Sequence, residues 1–340
     1  MRPPKKSVTI HDVAKLANVS VGTVSRVLAK NETVKHPILL RVNQSIAELN
    51  YKPNLAARAL RAKRVDIIGV ILPDITNPFF AQVAQDIEKA ASRHGYVVIL
   101  AASHNDTAIE ARQMSAIVDR TPAGIILIPA ADHQEFTMPS NVQVVAFDRA
   151  IAGIRGVYAD QRRGIALAAQ YLFDLGHRRI DYIGGPPQTR VAQVREDGFT
   201  TQLRQLCVND PSIRLRVHHG LFDYASGEKI AREILSVPVG QRPTAIAAAS
   251  DQQAIGALRA ARDLRIDVPG ELTIVGFDDI TLADLVVPRL TTVRQPATEM
   301  AEEAVRLLLA GPDAKARSDF HCELVIRTSA APLRTDQMAK

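Results

Sequence analysis

From residue 65 onward the chain alternates two textures, and that alternation constrains its fold more than any other feature. Short apolar runs rich in β-branched residues occur at 67–72, 97–101, 124–128, 142–147, 179–183, 245–249 and 272–277. Amphipathic stretches with helical periodicity lie among them at 79–94, 107–120, 162–175, 195–206, 226–235, 252–264 and 297–309. Nearly continuous apolar strands that alternate with helices belong to parallel sheets covered on both faces. Seven such strands are too many for one small sheet. A pause near Asp160 and the short link Val293-Arg294-Gln295-Pro296 divide the pattern into two similar halves. The expectation is two doubly wound α/β lobes with a cleft between them, and ligands in such folds sit beyond the carboxyl ends of the strands.

The residues just past those strands are chemically informative. They include Asn77, Phe79 and Phe80 after the first run, Asp148 and Arg149 after the fourth, and Asp160 near the pause. Arg195 opens a helix after a Gly-Gly-Pro-Pro turn, Phe222 follows Gly220, and Ser250 and Asp251 follow 245–249. Asp278 and Asp279 follow the last run, and Gln295 sits in the link. Carboxylates, guanidinium groups and amides bond hydroxyls in pairs, while aromatic rings cover apolar faces, so the set suits a polyhydroxylated ring. Each residue also has a structural alternative. Phe79 and Phe80 fit a core, Asp148 a helix cap, and Arg195 a surface charge.

The first 64 residues differ in charge. They hold thirteen Lys and Arg against three carboxylates, a formal charge of +10, and leave the remaining 276 residues at −4. A basic end on an acidic body predicts a nucleic-acid-binding module joined to a domain with another task.

Within that end, residues 8–28 read as two short helices and a tight turn. Thr9 caps the first, with Asp12 placed for the reciprocal bond. Val13, Leu16 and Ala17 fall on one face, beside Ala14. Asn18 and Val19 interrupt the pattern. Ser20 caps the second helix, whose apolar side is Val24, Val27 and Leu28. Val21, Gly22, Thr23, Ser25 and Arg26 remain on or near the outer surface. Small side chains permit close approach to a major groove, hydroxyls bond phosphates, and Arg bonds guanine bidentately. An ordinary helical hairpin with a solvated Arg has the same pattern, and the charge of the module favours the DNA reading. A third helix is expected over 37–49, with Pro37 in its first turn. Asn54 then caps a short helix at 55–60, too short to be stable alone.

These motifs closely resemble the lac/gal repressor (LacI/GalR) family of bacterial transcription regulators over essentially the whole chain. The likeness rests on Asp12-Val13-Ala14, Val19-Ser20, Thr23-Val24-Ser25-Arg26-Val27, Leu49-Asn50-Tyr51-Lys52-Pro53-Asn54 and Ala57-Arg58-Ala59-Leu60. In the body it rests on Asn77-Pro78-Phe79-Phe80, Leu175-Gly176-His177-Arg178-Arg179-Ile180, Gly276-Phe277-Asp278-Asp279 and 288–296. The resemblance implies a helix-turn-helix DNA-binding domain at 1–53, a hinge helix and linker at 54–64, and a periplasmic-binding-protein-like effector and dimerisation domain at 65–340. Its lobes are expected at 65–161 plus 296–326 and at 162–295 plus 327–340. The resemblance further implies a homodimer on a palindromic double-stranded operator, with a small sugar or sugar derivative as effector. Val21 and Gly22 match positions that read operator bases, Arg26 one that contacts guanine, and Leu60 the hinge leucine that wedges the minor groove. Thr9, Ser20, Thr23, Ser25, Asn54, Ala57 and Arg58 complete the expected DNA contacts.

In the body, Asn77, Phe79, Phe80, Asp148, Arg149, Arg195, Phe222, Phe277, Asp278 and Gln295 match the positions that grip ribose in ribose-binding-protein-like members. Ser250 stands where that pattern has Asn, which removes one amide fork. The segment Lys35-His36-Pro37 replaces the family's usual lead into the third helix. No leucine heptads follow 325–327, so a dimer is expected in place of a tetramer.

Other classes fit less well. A solute-binding protein needs a leader, and the basic residues 1–6 precede no apolar signal core. An enzyme of nucleotide type needs a glycine-rich phosphate loop, and neither Gly-x-Gly-x-x-Gly after the first body strand nor a phosphate-loop motif is present. Cys207 and Cys322 have no metal-ligand spacing. The expectation is a cytoplasmic, nucleoid-associated regulator with no cofactor, no catalytic residue and no membrane span. A nucleoside or purine is the alternative effector.

Overall fold

The computed structural model describes residues 9–28, 36–49, 67–132, 142–208 and 210–333. The chain divides into two units, Met1–Val65 and Asp66–Lys340. The first holds α1 (Ile10–Ala17), α2 (Val21–Leu28) and α3 (His36–Glu48). Asp12 Oδ2 accepts from both the backbone N–H of Thr9 (2.8 Å) and its hydroxyl (2.7 Å), which pins the start of α1. Asn18, at φ 50°, ends that helix in the left-handed conformation. Ser20 Oγ accepts from Thr23 N at 3.2 Å and caps α2. The small core consists of Val13, Ala14, Ala17, Val24, Val27 and Val42. Leu16 does not join it and is 46% exposed. The 3.6-residue stripe places Leu16 on the buried face, but α1 packs through its small Ala14 and Ala17 positions instead. The hinge residues Asn54, Ala57, Arg58 and Leu60 lie outside the described residues.

The second unit contains two sheets. The first lobe holds β1 (Ile67–Leu72), α4 (Pro78–Arg93), β2 (Val97–Ala102), α5 (Thr107–Val118), β3 (Gly124–Leu127), β4 (Val144–Phe147) and β5 (Gly156–Val157). The second holds α6 (Gln161–Asp174), β6 (Arg179–Gly184), α7 (Arg190–Cys207), β7 (Arg214–His219), α8 (Tyr224–Leu235) and β8 (Ala245–Ala248). It continues with α9 (Asp251–Asp263), β9 (Thr273–Asp278), α10 (Thr281–Leu285) and β10 (Thr291–Arg294). The chain then returns to the first lobe as α11 (Ala297–Leu309), which packs on α4, β3 and β4. It ends in the second lobe with β11 (Glu323–Val325). The strand orders are β2-β1-β3-β4-β5 and β11-β10-β9-β8-β6-β7. All pairings are parallel except β10 with β11.

Taken in the same direction, the two strand orders are equivalent, so β4 of one lobe corresponds to β9 of the other. Both carry Phe-Asp at their carboxyl ends: Phe147 ends β4 and Asp148 follows it, and Phe277-Asp278 ends β9.

The third crossing comes earlier than the expected 326. Phe320 is 1% exposed in the core that includes β1 and α11, and it bridges Ala159. By Glu323 the chain already pairs with β10. Strand β7 has no counterpart among the apolar runs, because it lies at a sheet edge and alternates exposed and half-buried residues.

Helices α8 and α9 approach so closely that glycine is required. A Cβ on Gly227 would lie 2.3 Å from Gln253 O, and one on Gly256 2.2 Å from Tyr224 O. Backbone atoms cannot yield as a side chain would. Gly256→Ala gains about 1 kcal/mol of helix propensity but overpacks a fixed contact at a cost of about 1–3 kcal/mol or more. We expect a net loss of stability, read as a lower urea midpoint with unchanged slope.

Candidate effector site

Cap chemistry places much of the site. Asn77 Oδ1 accepts from Phe79 N at 3.0 Å and starts α4, with Pro78 as the first helical residue. Asp223 caps α8 through Ser226 N (2.7 Å), and Ser250 caps α9 through Gln253 N (3.3 Å). These helices begin immediately after strands, so their first residues gather at the carboxyl ends of the two sheets.

A cavity of about 560 Å³ lies there, lined from both lobes. Nine of the twelve expected effector residues line it: Asn77, Phe79, Phe80, Asp148, Arg149, Arg195, Phe222, Ser250 and Asp278. Phe79 and Phe80 also belong to the core, each 6% exposed, with ring centroids 5.5 Å apart. These two residues thus belong to the core and also line the cavity.

Arg195 is the centre of the polar network and is 4% exposed. Its Nε donates to Gln161 Oε1 at 2.8 Å, and its Nη1 donates to Ala249 O at 2.6 Å. Its Nη2 lies 3.2 Å from Asp278 Oδ1. The guanidinium covers the Phe277 ring at 4.0 Å and stands 5.8 Å from that of Phe222. Gln161 Nε2 donates to Asp148 Oδ1 at 2.9 Å, so one amide links the two charged residues. Gln295 Nε2 donates to Asp278 Oδ1 at 2.9 Å. Arg149 donates to Pro129 O at 2.9 Å and stands 5.7 Å from the Phe80 ring. Glu110 Oε2 holds the neighbouring loop by accepting from Ala130 N at 2.6 Å.

Three expected residues do not line the cavity. Phe277 is fully buried and supports Arg195 from below. Gln295 is 3% exposed and acts through Asp278. Asp160 is exposed and caps α6 by accepting from Arg163 N at 3.0 Å. The helix starts one residue later, so it is Gln161 that points into the network. The sequence pattern carries no signal for Gln161, nor for Asp74, Asn105, Asp132, Gln188 and Gln252, which line the cavity from loops and helix starts.

Asp251 is fully buried beneath the site. Its Oδ2 accepts from Ile280 N (2.8 Å) and its Oδ1 from the Thr292 hydroxyl (2.5 Å), fixing the turn that carries Asp278. Asp148 and Asp278 both have positive φ, 62° and 113°. Such backbone is uncommon outside glycine and is tolerated best by Asp and Asn. Equivalent strand ends thus turn their carboxylates inward from opposite lobes.

Burial sets the electrostatics. It pushes the Asp278 carboxyl up to about 6, with Arg195 opposing the shift. Burial likewise raises Asp148, against the attraction of Arg195 and Arg149. Asp251 is held well above the carboxylate range by burial and then by the charge of Asp278. A raised carboxyl means that the folded state binds the proton more tightly than the unfolded chain. Stability from this source is present at low pH and lost as pH rises from about 4 through about 6. Asp278 alone accounts for up to ~3 kcal/mol of that loss. In the ligand-free protein, Asp278→Asn should flatten the fall in melting temperature across this window, while keeping an acceptor for Gln295. A slope identical to that of the parent would contradict the assignment.

Comparison with known proteins agrees with this architecture. Residues 9–54 match the bacterial regulatory proteins of the lacI family, and residues 169–330 match a periplasmic binding protein-like domain. The ribose operon repressor of Halalkalibacterium halodurans is 35% identical over 93% of this chain and 94% of its own length. The lac repressor dimer bound to operator and the anti-inducer ONPF superposes with a TM-score of 0.84 at 26% identity, covering 96% of this chain and all of that one. A LacI family regulator from Enterococcus faecium with bound ribose gives a TM-score of 0.68 at 26% identity, covering 79% of this chain and all of that one. Having the family's amino-terminal motif, its two-lobed body and full-length relatives, this chain belongs to the lacI family of bacterial regulatory proteins.

Proposed function

We propose that the protein is a transcriptional repressor that binds a palindromic operator as a homodimer and changes its operator affinity when a small sugar or sugar derivative fills the cleft. The observation that carries this reading is the presence, on one chain, of a helix-turn-helix core and a cavity lined by paired carboxylates, guanidinium groups and phenylalanines. In the first unit, Thr9, Ser20, Gly22 and Arg26 are exposed, and Val21 is half-buried against the core. Arg26 Nε reaches Gly22 O at 3.4 Å, a long bond that a guanine edge or a phosphate can displace. Ser20 and Thr23 share a hydroxyl contact at 2.9 Å beside the helix start, where a phosphate would be received. Ser25 and the hinge residues Asn54, Ala57, Arg58 and Leu60 are proposed contacts from the family pattern.

In the cleft, Asp148 and Asp278 accept from ligand hydroxyls, Arg149, Arg195 and Asn77 donate, and Phe79, Phe80 and Phe222 cover apolar ring faces. The same three rings favour a nucleoside as the second ligand class. The absence of a membrane-spanning helix among the described residues agrees with a DNA-binding role.

Operator binding should fall steeply with salt, because phosphate contacts release counterions. Arg26→Ala should lower affinity for the operator by about 1–3 kcal/mol relative to unrelated DNA, measured by fluorescence anisotropy. A saturating effector should change operator affinity about 5–150-fold. Phe222→Ala should abolish the thermal shift produced by that effector and leave operator binding intact. An effector that binds the cleft without altering operator affinity would disprove the coupling.

A further inference from the structure

The charge of the cleft and the state of its helix ends restrict what it can hold. Five carboxylates line the cavity (Asp74, Asp132, Asp148, Asp223 and Asp278) against two guanidinium groups, Arg149 and Arg195. Arg195 is engaged through all three of its nitrogens, whereas Arg149 gives only Nη1 and its buried Nε has no partner among the described residues. Arg195 is held by Asp278, Gln161 and a backbone carbonyl, and Arg149 by the carbonyls of Pro129 and Ala130. Among the described residues, the lining therefore carries three more carboxylates than guanidinium groups.

An anionic ligand in an α/β cleft ordinarily finds its partners at helix N-termini, where unpaired N–H groups and the helix dipole point at it. Here one N–H at each of those ends is already taken by an oxygen of the protein. Asn77 takes Phe79 N of α4, Asp223 takes Ser226 N of α8, and Ser250 takes Gln253 N of α9. The fourth case spans the lobes. Asp132 Oδ2, from the loop after β3, accepts from Arg190 N, the first residue of α7 in the opposite lobe. Asp74 Oδ1 is likewise committed, to the N–H and hydroxyl of Thr76 at 2.8 and 2.7 Å. A phosphate or carboxylate arriving in the cleft meets like charge and, at each of these helix ends, an N–H already taken by a protein oxygen.

We infer that the cleft selects uncharged polyhydroxylated ligands and rejects their anionic counterparts: neutral sugars or nucleosides bind, while sugar phosphates, sugar acids and nucleotides do not. This inference rests on the effector reading proposed above and names the ligand class of that same site. Asp132 and Asp74 act as charge selectors at the cavity wall, and like-charge juxtaposition in such a site costs several kcal/mol.

The test uses the full-length protein and matched pairs that differ only in charge. These are ribose with ribose 5-phosphate, glucose with glucose 6-phosphate and gluconate, and adenosine or cytidine with the corresponding 5′-monophosphates. Isothermal titration calorimetry at low and high salt measures each pair. The neutral member of whichever pair binds should be favoured at least about 100-fold, and the ratio should shrink at high salt. The double variant Asp74→Asn, Asp132→Asn keeps both hydrogen-bond acceptors and removes two charges. It should narrow the ratio about tenfold or more and leave the affinity for the neutral member within a few-fold. An anionic member that binds as tightly as its neutral partner overturns the inference and leaves the effector reading standing. A ratio that neither salt nor the double variant changes assigns the discrimination to shape and overturns the electrostatic account. If no member of any pair binds, the effector reading itself fails.

Discussion

The buried Arg195 guanidinium is the interaction on which the rest of the body depends. A charge held 4% exposed must be matched, because an uncompensated buried ion costs several kcal/mol. The match is built from both lobes. Asp278 supplies the counter-charge from the end of β9, and Asp148 is reached from the end of β4 through the Gln161 amide. The Phe277 ring supports the flat face of the guanidinium, and Ala249 O accepts a further hydrogen bond from it. The network therefore fixes the strand ends, the crossing segment before α6 and the start of α7 in one connected arrangement. A ligand that offers hydroxyls to the same carboxylates competes inside this network, and its binding is felt wherever the network reaches.

Much of this was legible in the sequence, for a physical reason. The central strands of a covered parallel sheet must be apolar throughout, so β1, β3, β4, β6, β8 and β9 stand out as continuous runs. The edge strand β7, with its exposed Arg and His positions, carries no such signature. Helix boundaries were visible to within a few residues, and one residue decided a site assignment. Asp160 sits outside as a cap, and the adjacent Gln161, the first residue of its helix, faces the buried charge. Leu16 shows the same limit at smaller scale, since periodicity marks a face but not how much of it a small partner covers. The aspartates that line the cavity from loops were silent for a different reason. Asp74, Asp132 and Asp223 look like ordinary turn and cap residues, and each does that work. Their second consequence, the charge they leave in the cleft, comes from their gathering in space.

The two lobes also show how a repeated topology makes a symmetric grip. Equivalent strands carry the same Phe-Asp pair at their carboxyl ends, and at both the backbone turns to positive φ. In each lobe the strand supplies an aromatic beneath and a carboxylate in front. The lobes differ at the residue after that pair. Arg149 extends the first pair toward the cavity, whereas Asp279 turns away to pair with Arg294 and Arg327.

The three crossings between the lobes carry a mechanical consequence. They lie side by side: Asp160 N donates to Phe320 O at 2.9 Å, and a Cβ on Gly164 would meet both Cys322 and Val293. One tether permits swivel and slide; three adjacent tethers suppress both and leave rotation about the line through them. The lobes then behave as levers on a common pivot. A change of an ångström in the gap at the cavity becomes a larger arc at the far ends of the lobes, and the direction of that arc is set by the fold rather than by the ligand. Closure of the cleft is thereby confined to one direction of motion.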